Sequence, residues 1–310
     1  LKLDWDGIQG LSDTLGRNGV TSNYSYDHAP YTWQLVEQMK EGKALFTQPP
    51  MPIKCAGAPQ KAMYLASDAW RRSGDLKNID VSFHNAGGVL FGVSEYVPPL
   101  MKYVERYGID LCFKETLVAV YGDTKTAVFD VVGEDDQKTR VTRSFDMLHV
   151  TPPQTPLDFV RDSDISSETG WIDVDQETLQ HMRFPNVFSL GDSGSTPNAK
   201  TAAAVRKQVP IAAVNILRVL DGEVPHAVYN GYGSCPLTVE RGKIVLAEFG
   251  YGGKLLPTLP KWVVNGSKAT KAAWFLKSNM LPGIYFNQML RGTEWLVAPE
   301  IDKTRSKRAA

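Results

Sequence analysis

The feature that most constrains the fold is an alternation of short apolar runs with helical periods between residues 31 and 113. YTWQLVEQMKE (31 to 41) has apolar residues at helical spacing, and Lys43-Ala44-Leu45-Phe46-Thr47 is a short strand. A helix over 60–72 follows, then a strand over Ile79–His84, a helix over Pro98–Tyr107 stopped by Gly108, and a strand over Ile109–Phe113. This β–α–β–α–β order argues for a parallel sheet flanked by helices. The first turn of such a unit normally needs glycines so that the backbone can approach a pyrophosphate. Here it reads Pro49-Pro50-Met51-Pro52, with Cys55 just beyond, and no G-x-G-x-x-G occurs anywhere. Nicotinamide binding at this turn is therefore disfavoured.

What replaces the glycines is the segment PIKCAGAPQK (52 to 61). Cys55 lies beside Lys54 and just before a helix whose first turn suits Pro59. A thiol next to a cation and a helix N-terminus has its thiolate favoured. Ala56, Gly57 and Ala58 leave room for a planar ring nearby.

The rest of the chain divides into a β-rich stretch, a polar connector and an aromatic end. Thr116–Val132 and Thr139–Thr151 are strand-like around the turn G-E-D-D-Q, and the second ends on a sharp Thr151-Pro152-Pro153 corner. GWIDVDQETLQH (170 to 181) is hairpin-like, and Asn186–Asp192 is an apolar strand ending in Gly-Asp. A helix from Lys200 to about Leu220 follows it. A strand ending in Gly-Asp ahead of an Ala-rich helix places a carboxylate and several backbone N–H groups at one point, which suits a polyol and an electron-accepting ring. A strand covers Lys243–Phe249. Trp274–Leu296 then reads as two short amphipathic helices interrupted by Pro282-Gly283, with Lys268, Lys271, Lys277 and Arg291 among the apolar clusters, and Lys303–Ala310 as a frayed basic tail. That composition fits a surface dipping into a membrane interface.

Bulk properties narrow the function. The 34 basic and 34 acidic residues balance, so nothing suggests a nucleic-acid surface. The three cysteines, at 55, 112 and 235, contain no C-x-x-C pair, which argues against a disulfide scaffold or a structural zinc site, and no metal is expected. No apolar run is long enough to span a bilayer, and the N-terminus lacks a secretory pattern. Cys112, within IDLCF, reads as core packing and His149 as a hydrogen-bonded core residue. His84 is a weaker candidate for contact with substrate, and His28, His181 and His226 read as loop residues.

KCAGAPQK (54 to 61), LHVTPP (148 to 153), GWIDVDQETLQH, NVFSLGD (186 to 192), AKTAAAV (199 to 205) and GSCPL (233 to 237) together closely resemble sulfide:quinone oxidoreductases of the type shared by mitochondria and some bacteria. The resemblance runs over nearly the whole chain. It implies an α/β fold of Rossmann-like FAD/NAD(P)-binding domains, as in glutathione-reductase-like flavoproteins, with a C-terminal amphipathic helical segment. Residues 1–31 would be a connector from an absent FAD-domain half and 32–155 a second dinucleotide-binding-like domain carrying Cys55. Residues 156–225 would be the returning part of the FAD domain, and 226–310 the second redox cysteine and the membrane contact.

The resemblance further implies FAD as cofactor and a redox-active pair of Cys55 and Cys235. Hydrosulfide would open their disulfide, leaving a persulfide on Cys235 and a thiolate on Cys55. Gly233 and Ser234 would give Cys235 a flexible backbone. Asp192, Lys200, Thr201, Ala202 and Pro152 would contact FAD, and Tyr285 and Phe286 would neighbour the quinone. The partners would be hydrogen sulfide, ubiquinone or another quinone, a small thiol or other sulfane-sulfur acceptor, and a bacterial cytoplasmic or mitochondrial inner membrane surface, with a homo-oligomer open. Three other readings stand beside this one: a flavin subunit passing electrons to a haem protein, a type II NADH:quinone oxidoreductase (which lacks its glycine motif here), and a non-catalytic fragment.

Overall fold

The computed structural model describes residues 1–198, 200–293 and 296–305. Ala199 of AKTAAAV, Trp295 and the tail from residue 306 lie outside the described residues.

The alternation forms as its periodicity dictates. β1 (Val20–Thr21), β2 (Gly42–Gln48), β3 (Ile79–Asn85), β4 (Asp110–Phe113) and β8 (Met147–His149) make one parallel sheet in the order β1-β8-β2-β3-β4. β2 buries four consecutive residues, Ala44 to Thr47, because both of its faces are covered. α1 (Ala29–Gln38), α2 (Ala58–Ser73) and α3 (Val97–Tyr107) flank the sheet. α2 buries Pro59, Ala62, Met63, Ala66 and Trp70 along one side, and Gly74 stops it at φ 86°, a conformation that glycine adopts freely. Between β4 and β8 the chain folds out as an antiparallel sheet of β5 (Glu115–Tyr121), β6 (Thr126–Val132) and β7 (Lys138–Ser144). The stretch 116–132 is thus two strands, bent at Gly122–Lys125.

Further along, α4 (Ala202–Leu220) is capped by Thr201, whose Oγ1 accepts the Ala204 N–H at 3.1 Å. β9 (Gly233–Glu240), β10 (Lys243–Phe249) and β11 (Ala269–Thr270) form a third sheet, with β9 at its edge. An edge strand pairs on one side alone, which is why Pro236 is tolerated inside it. α5 (Lys271–Phe275) passes through a π turn at Leu276–Met280 into α6 (Leu281–Asn287).

Four expectations change. Asn186–Asp192 forms no ladder, only a single bridge from Phe188 to Gln180, because no neighbouring strand lies beside it among the described residues. Pro282-Gly283 does not break the C-terminal helix: Pro282 occupies the first turn of α6, where the π widening takes up its missing N–H. The start of the basic tail is tied down rather than frayed, since Arg305 pairs with Glu177 and Asp302. Finally, Gly233 and Ser234 do not give Cys235 a flexible backbone, because all three lie in the β9 ladder, with Cys235 opposite Ala247.

α2 packs directly on β9. Gly57, its N-cap, lies so close to that strand that a Cβ there would sit 2.4 Å from Leu237 Cδ2 and 3.5 Å from Cys235 Cβ. Asp68, buried on α2, accepts the Arg241 N–H at 3.1 Å and pairs with Arg71 at 2.9 Å, fixing the other end of the contact. Gly57→Ala is therefore expected to cost about 1–3 kcal/mol of stability from overpacking, read as a lower urea midpoint at unchanged slope. An unchanged midpoint would show that the contact relaxes freely.

Candidate functional site

The loop between β2 and α2, which includes a cis Met51–Pro52 bond, delivers Cys55 in a left-handed conformation (φ 55°). Such a backbone persists in a non-glycine residue only where its surroundings fix it. The fixing contacts are visible. Cys55 N–H donates to the Lys200 carbonyl at 2.8 Å, Lys54 N–H to Gln154 Oε1 at 2.7 Å, and Tyr24 O–H to the Lys54 carbonyl at 3.2 Å.

This geometry sets Cys55 against Cys235, and both are free thiols. The Cys55 thiol is lowered to about 5, first by the hydrogen bond from Cys235, against the opposing effect of burial, and then by Lys61, whose Nζ lies 3.3 Å from Sγ. The Gly57 backbone N–H adds a smaller contribution at the helix start. Cys235, fully buried, moves the other way: donating its proton to Cys55, together with desolvation, pushes it up. The pair is therefore one anion and one neutral donor. The cation responsible is Lys61 and not Lys54. One helical turn into α2, Lys61 points back over its own N-terminus, whereas Lys54 Nζ lies 5.7 Å from the Tyr24 ring centroid.

Cys55 opens onto a cavity of about 710 Å³. Its polar wall holds Asp192, Lys200, Thr201, Ala202 and Ala203 at the start of α4, with Arg206 and Tyr232. Its apolar wall is the C-terminal segment, including Leu276, Leu281, Ile284, Tyr285 and Met289. Glu248 lies on its floor, buried, and accepts from Tyr232 O–H at 2.7 Å. A second cavity of about 940 Å³ lies across the cysteine loop, bounded by Pro49–Pro52, Ala56, Asn85–Gly87, Trp171 and Tyr251. Lys200 lines both. It is 5% exposed rather than a surface lysine at a helix start; its Nζ donates to the Gly194 carbonyl at 2.8 Å and sits 4.0 Å from the Trp171 ring centroid. Burial lowers it to about 8, partly offset by Asp192.

The structure thus brings together Cys55, Cys235, Asp192, Lys200, Thr201, Ala202 and Tyr285. Pro152 is buried but lines neither cavity, and Phe286 is 64% exposed, turned away from the cavity against Tyr285. His84 is not on a substrate side: it is buried between Ser82 and Glu115. His149 is a core residue, as its strand suggests, with Nε2 accepting the Asn23 N–H at 3.1 Å and burial lowering it to about 4. His181, in a loop, is also buried and accepts the Arg183 and Phe184 N–H groups. Cys112 is half-buried and outside the core clusters. Lys61, Tyr24, Tyr232 and Glu248 were not singled out from the sequence. Of these, Lys61 alone carried a signal, its place one turn into the helix that Cys55 precedes.

A parallel-sheet unit of Rossmann type thus carries an anionic thiol where the glycine turn would be, set beside a polar helix start. No family model matches the chain. Among curated proteins it is 37% identical over 292 residues to the mitochondrial sulfide:quinone oxidoreductase of Mus musculus, covering 94% of this chain and 64% of that protein. It is 40% identical to the corresponding Dictyostelium discoideum protein, covering 94% of this chain and 63% of the relative. The chain is therefore related by sequence to sulfide:quinone oxidoreductases over nearly all of its length, and it spans a little under two thirds of theirs. The solved sulfide:quinone oxidoreductase of Aquifex aeolicus shares the fold, with a TM-score of 0.68 at 14% identity, covering 97% of this chain and 73% of that one. A chain within the mitochondrial ATP synthase assembly of Tetrahymena thermophila does so at a TM-score of 0.74 and 20% identity, covering 92% of this chain and 70% of that one.

In the reduced protein, alkylation of Cys55 by iodoacetamide should fall to half its plateau near pH 5, because the thiolate is lost as pH drops through its lowered pKa. Lys61→Met should move that midpoint upward, while Lys54→Met should leave it in place. A midpoint near the ordinary thiol value in the unaltered protein would contradict the assigned anion.

Proposed function

We propose that this chain carries the dithiol and quinone-facing parts of a sulfide:quinone oxidoreductase. The observation that carries the reading is the anionic Cys55 against Cys235 at the mouth of a cavity with one polar and one apolar wall. The residues present fit FAD. The first turn of a 19-residue helix, the Asp192 carboxylate and the buried Lys200 ammonium meet on one wall, offering N–H donors, a hydroxyl acceptor and a positive charge. In this reading Asp192 and the backbone at Thr201 and Ala202 hold the cofactor, and Lys200 balances negative charge beside it. FAD, when bound, supplies a two-electron acceptor for the dithiol and hands the pair on to quinone.

The chain's own steps follow from the unequal thiols. In the oxidised protein the two sulfurs form a disulfide, and hydrosulfide attacks Cys235 Sγ. One S–S bond forms as another breaks, leaving Cys235 as a persulfide and releasing Cys55 as a thiolate. Exchange is fastest when the leaving thiol has the lower pKa, and Lys61, within reach of Cys55 Sγ, favours the Cys55 thiolate as it leaves. A thiolate acceptor then takes the outer sulfur, returning Cys235 as a thiolate ready to be oxidised again with Cys55.

The C-terminal segment supplies the quinone side. It walls the cavity with Leu281, Ile284 and Tyr285 while exposing Phe275 (56%) and Leu290 (61%) to solvent. Trp262, in the loop before it, is 87% exposed. Among the described residues no helix is long and apolar enough to cross a membrane. This surface therefore supports docking on a bilayer face, where a lipid-soluble quinone reaches the cavity from the apolar side.

The test is a sulfide titration of the FAD-loaded protein, followed by flavin absorbance with a short-chain quinone present or absent. Sulfide should bleach the flavin, quinone should restore it, and Cys55→Ser should lower the bleaching rate at least about a hundredfold. Bound FAD that does not respond to sulfide would overturn the reading. Reoxidation by a haem protein but not by quinone would transfer the activity to a sulfide dehydrogenase.

A further inference from the structure

A second cluster of reactive side chains lies away from both cavities. His84 on β3 and Cys112 on β4 are register partners on adjacent parallel strands, and Glu115 opens β5. A His84 ring nitrogen, Cys112 Sγ and a Glu115 carboxylate oxygen all lie within 4.8 Å of one another. We propose that these three side chains form a site for one thiophilic divalent cation of the zinc class, with a water molecule completing its coordination.

Nitrogen, thiolate and carboxylate donors are the set that zinc takes, at about 2.0–2.3 Å. The outer partners of such a site already exist. His84 Nε2 lies 2.9 Å from Ser82 Oγ, and the ring stacks on Phe129 at 4.4 Å. Arg143 Nη2 holds Glu115 Oε1 at 2.6 Å, while Oε2 accepts from Arg143 Nε at 3.2 Å and faces His84 Nδ1 at 2.7 Å. A ligating histidine is normally oriented through its second nitrogen and a ligating carboxylate through its second oxygen, which is the arrangement here.

Binding moves protons in a defined way. The His84 ring proton passes from Nδ1 to Nε2, where Ser82 Oγ accepts it, and Nδ1 donates its lone pair to the cation. Glu115 Oε2 exchanges its hydrogen bonds to His84 and to Arg143 Nε for the cation, while Oε1 keeps Arg143. The Cys112 thiol loses its proton to solvent. Burial and the Glu115 charge hold that thiol up in the metal-free protein, so the cation must displace a firmly held proton. With the thiolate and the carboxylate, the cation's two charges are balanced, and Arg143 remains as the outer positive group. The donors come from three strands, which is why no spacing signature marks the site in the sequence.

The test uses Co²⁺ as the probe, in reduced protein carrying Cys55→Ser and Cys235→Ser so that the paired thiols cannot bind it. One equivalent of Co²⁺ should give a near-ultraviolet thiolate-to-cobalt charge-transfer band, displaced by Zn²⁺. The apparent affinity should rise about tenfold per pH unit while the thiol is protonated, since one proton is released. Adding Cys112→Ser should abolish the band, and Glu115→Gln should weaken binding about tenfold or more, with each variant's thermal midpoint confirming that it is folded. Absence of the band, or its survival in Cys112→Ser, would overturn the site and leave an ion-pair network only. Neither outcome depends on the flavin or on sulfide.

Discussion

Gly57 lies against Leu237 because the start of α2 and the edge strand β9 approach too closely for any side chain between them, and the dithiol exists only through that approach. Cys55 and Cys235 are distant in sequence and belong to different structural units, one to the parallel sheet and one to the third sheet. α2 joins them along its length, from Gly57 at its N-cap to Asp68 near its C-terminus, where the Arg241 backbone is held. The same approach gives Cys55 its hydrogen-bond donor and Cys235 its burial. A looser contact would return both thiols to ordinary behaviour.

The second constraint is the bridge from the cysteine loop to α4. The Cys55 N–H to Lys200 carbonyl bond ties the thiol to the residue whose ammonium lies between the two cavities. Lys200 is stable there because its charge faces the Gly194 carbonyl and the Trp171 ring, so burial lowers its affinity for the proton without removing it. The thiol, the ammonium and the helix start are therefore one rigid group. The apolar segment that closes the cavity packs on it from another unit, through Leu276 and Trp274 against β10.

Much of the parallel unit was legible because its strands are short apolar-centred runs and α2 and α3 have Pro at the start and Gly at the end. Cys55 stood out for a related reason: the residues around it break the apolar pattern. The electrostatics were not legible, because they depend on where long side chains end. Lys54 is the sequence neighbour of Cys55, yet Lys61 reaches it, since a helix projects its first-turn side chains back over its N-terminus. That Lys200 is buried was not legible, because the Trp171 ring it faces arrives from a distant hairpin. The run Asn186–Asp192 has strand character but no ladder, for pairing is a property of neighbours and the segment beside it, 179–181, meets it at a single bridge. Pro152 and Phe286 line neither cavity, because proximity in sequence to a lining residue does not fix the direction of a side chain.

In the proposed mechanism the two thiols are unequal partners in one disulfide, with Cys55 the leaving group. Mass spectrometry of the oxidised protein, digested after brief exposure to hydrosulfide and alkylation of all free sulfur, tests this directly. The expected result is a Cys55–Cys235 linkage before exposure, and afterwards one extra sulfur atom on the Cys235 peptide with Cys55 alkylated as a plain thiol. Extra sulfur on the Cys55 peptide, or no linkage between the two cysteines under oxidising conditions, would contradict it.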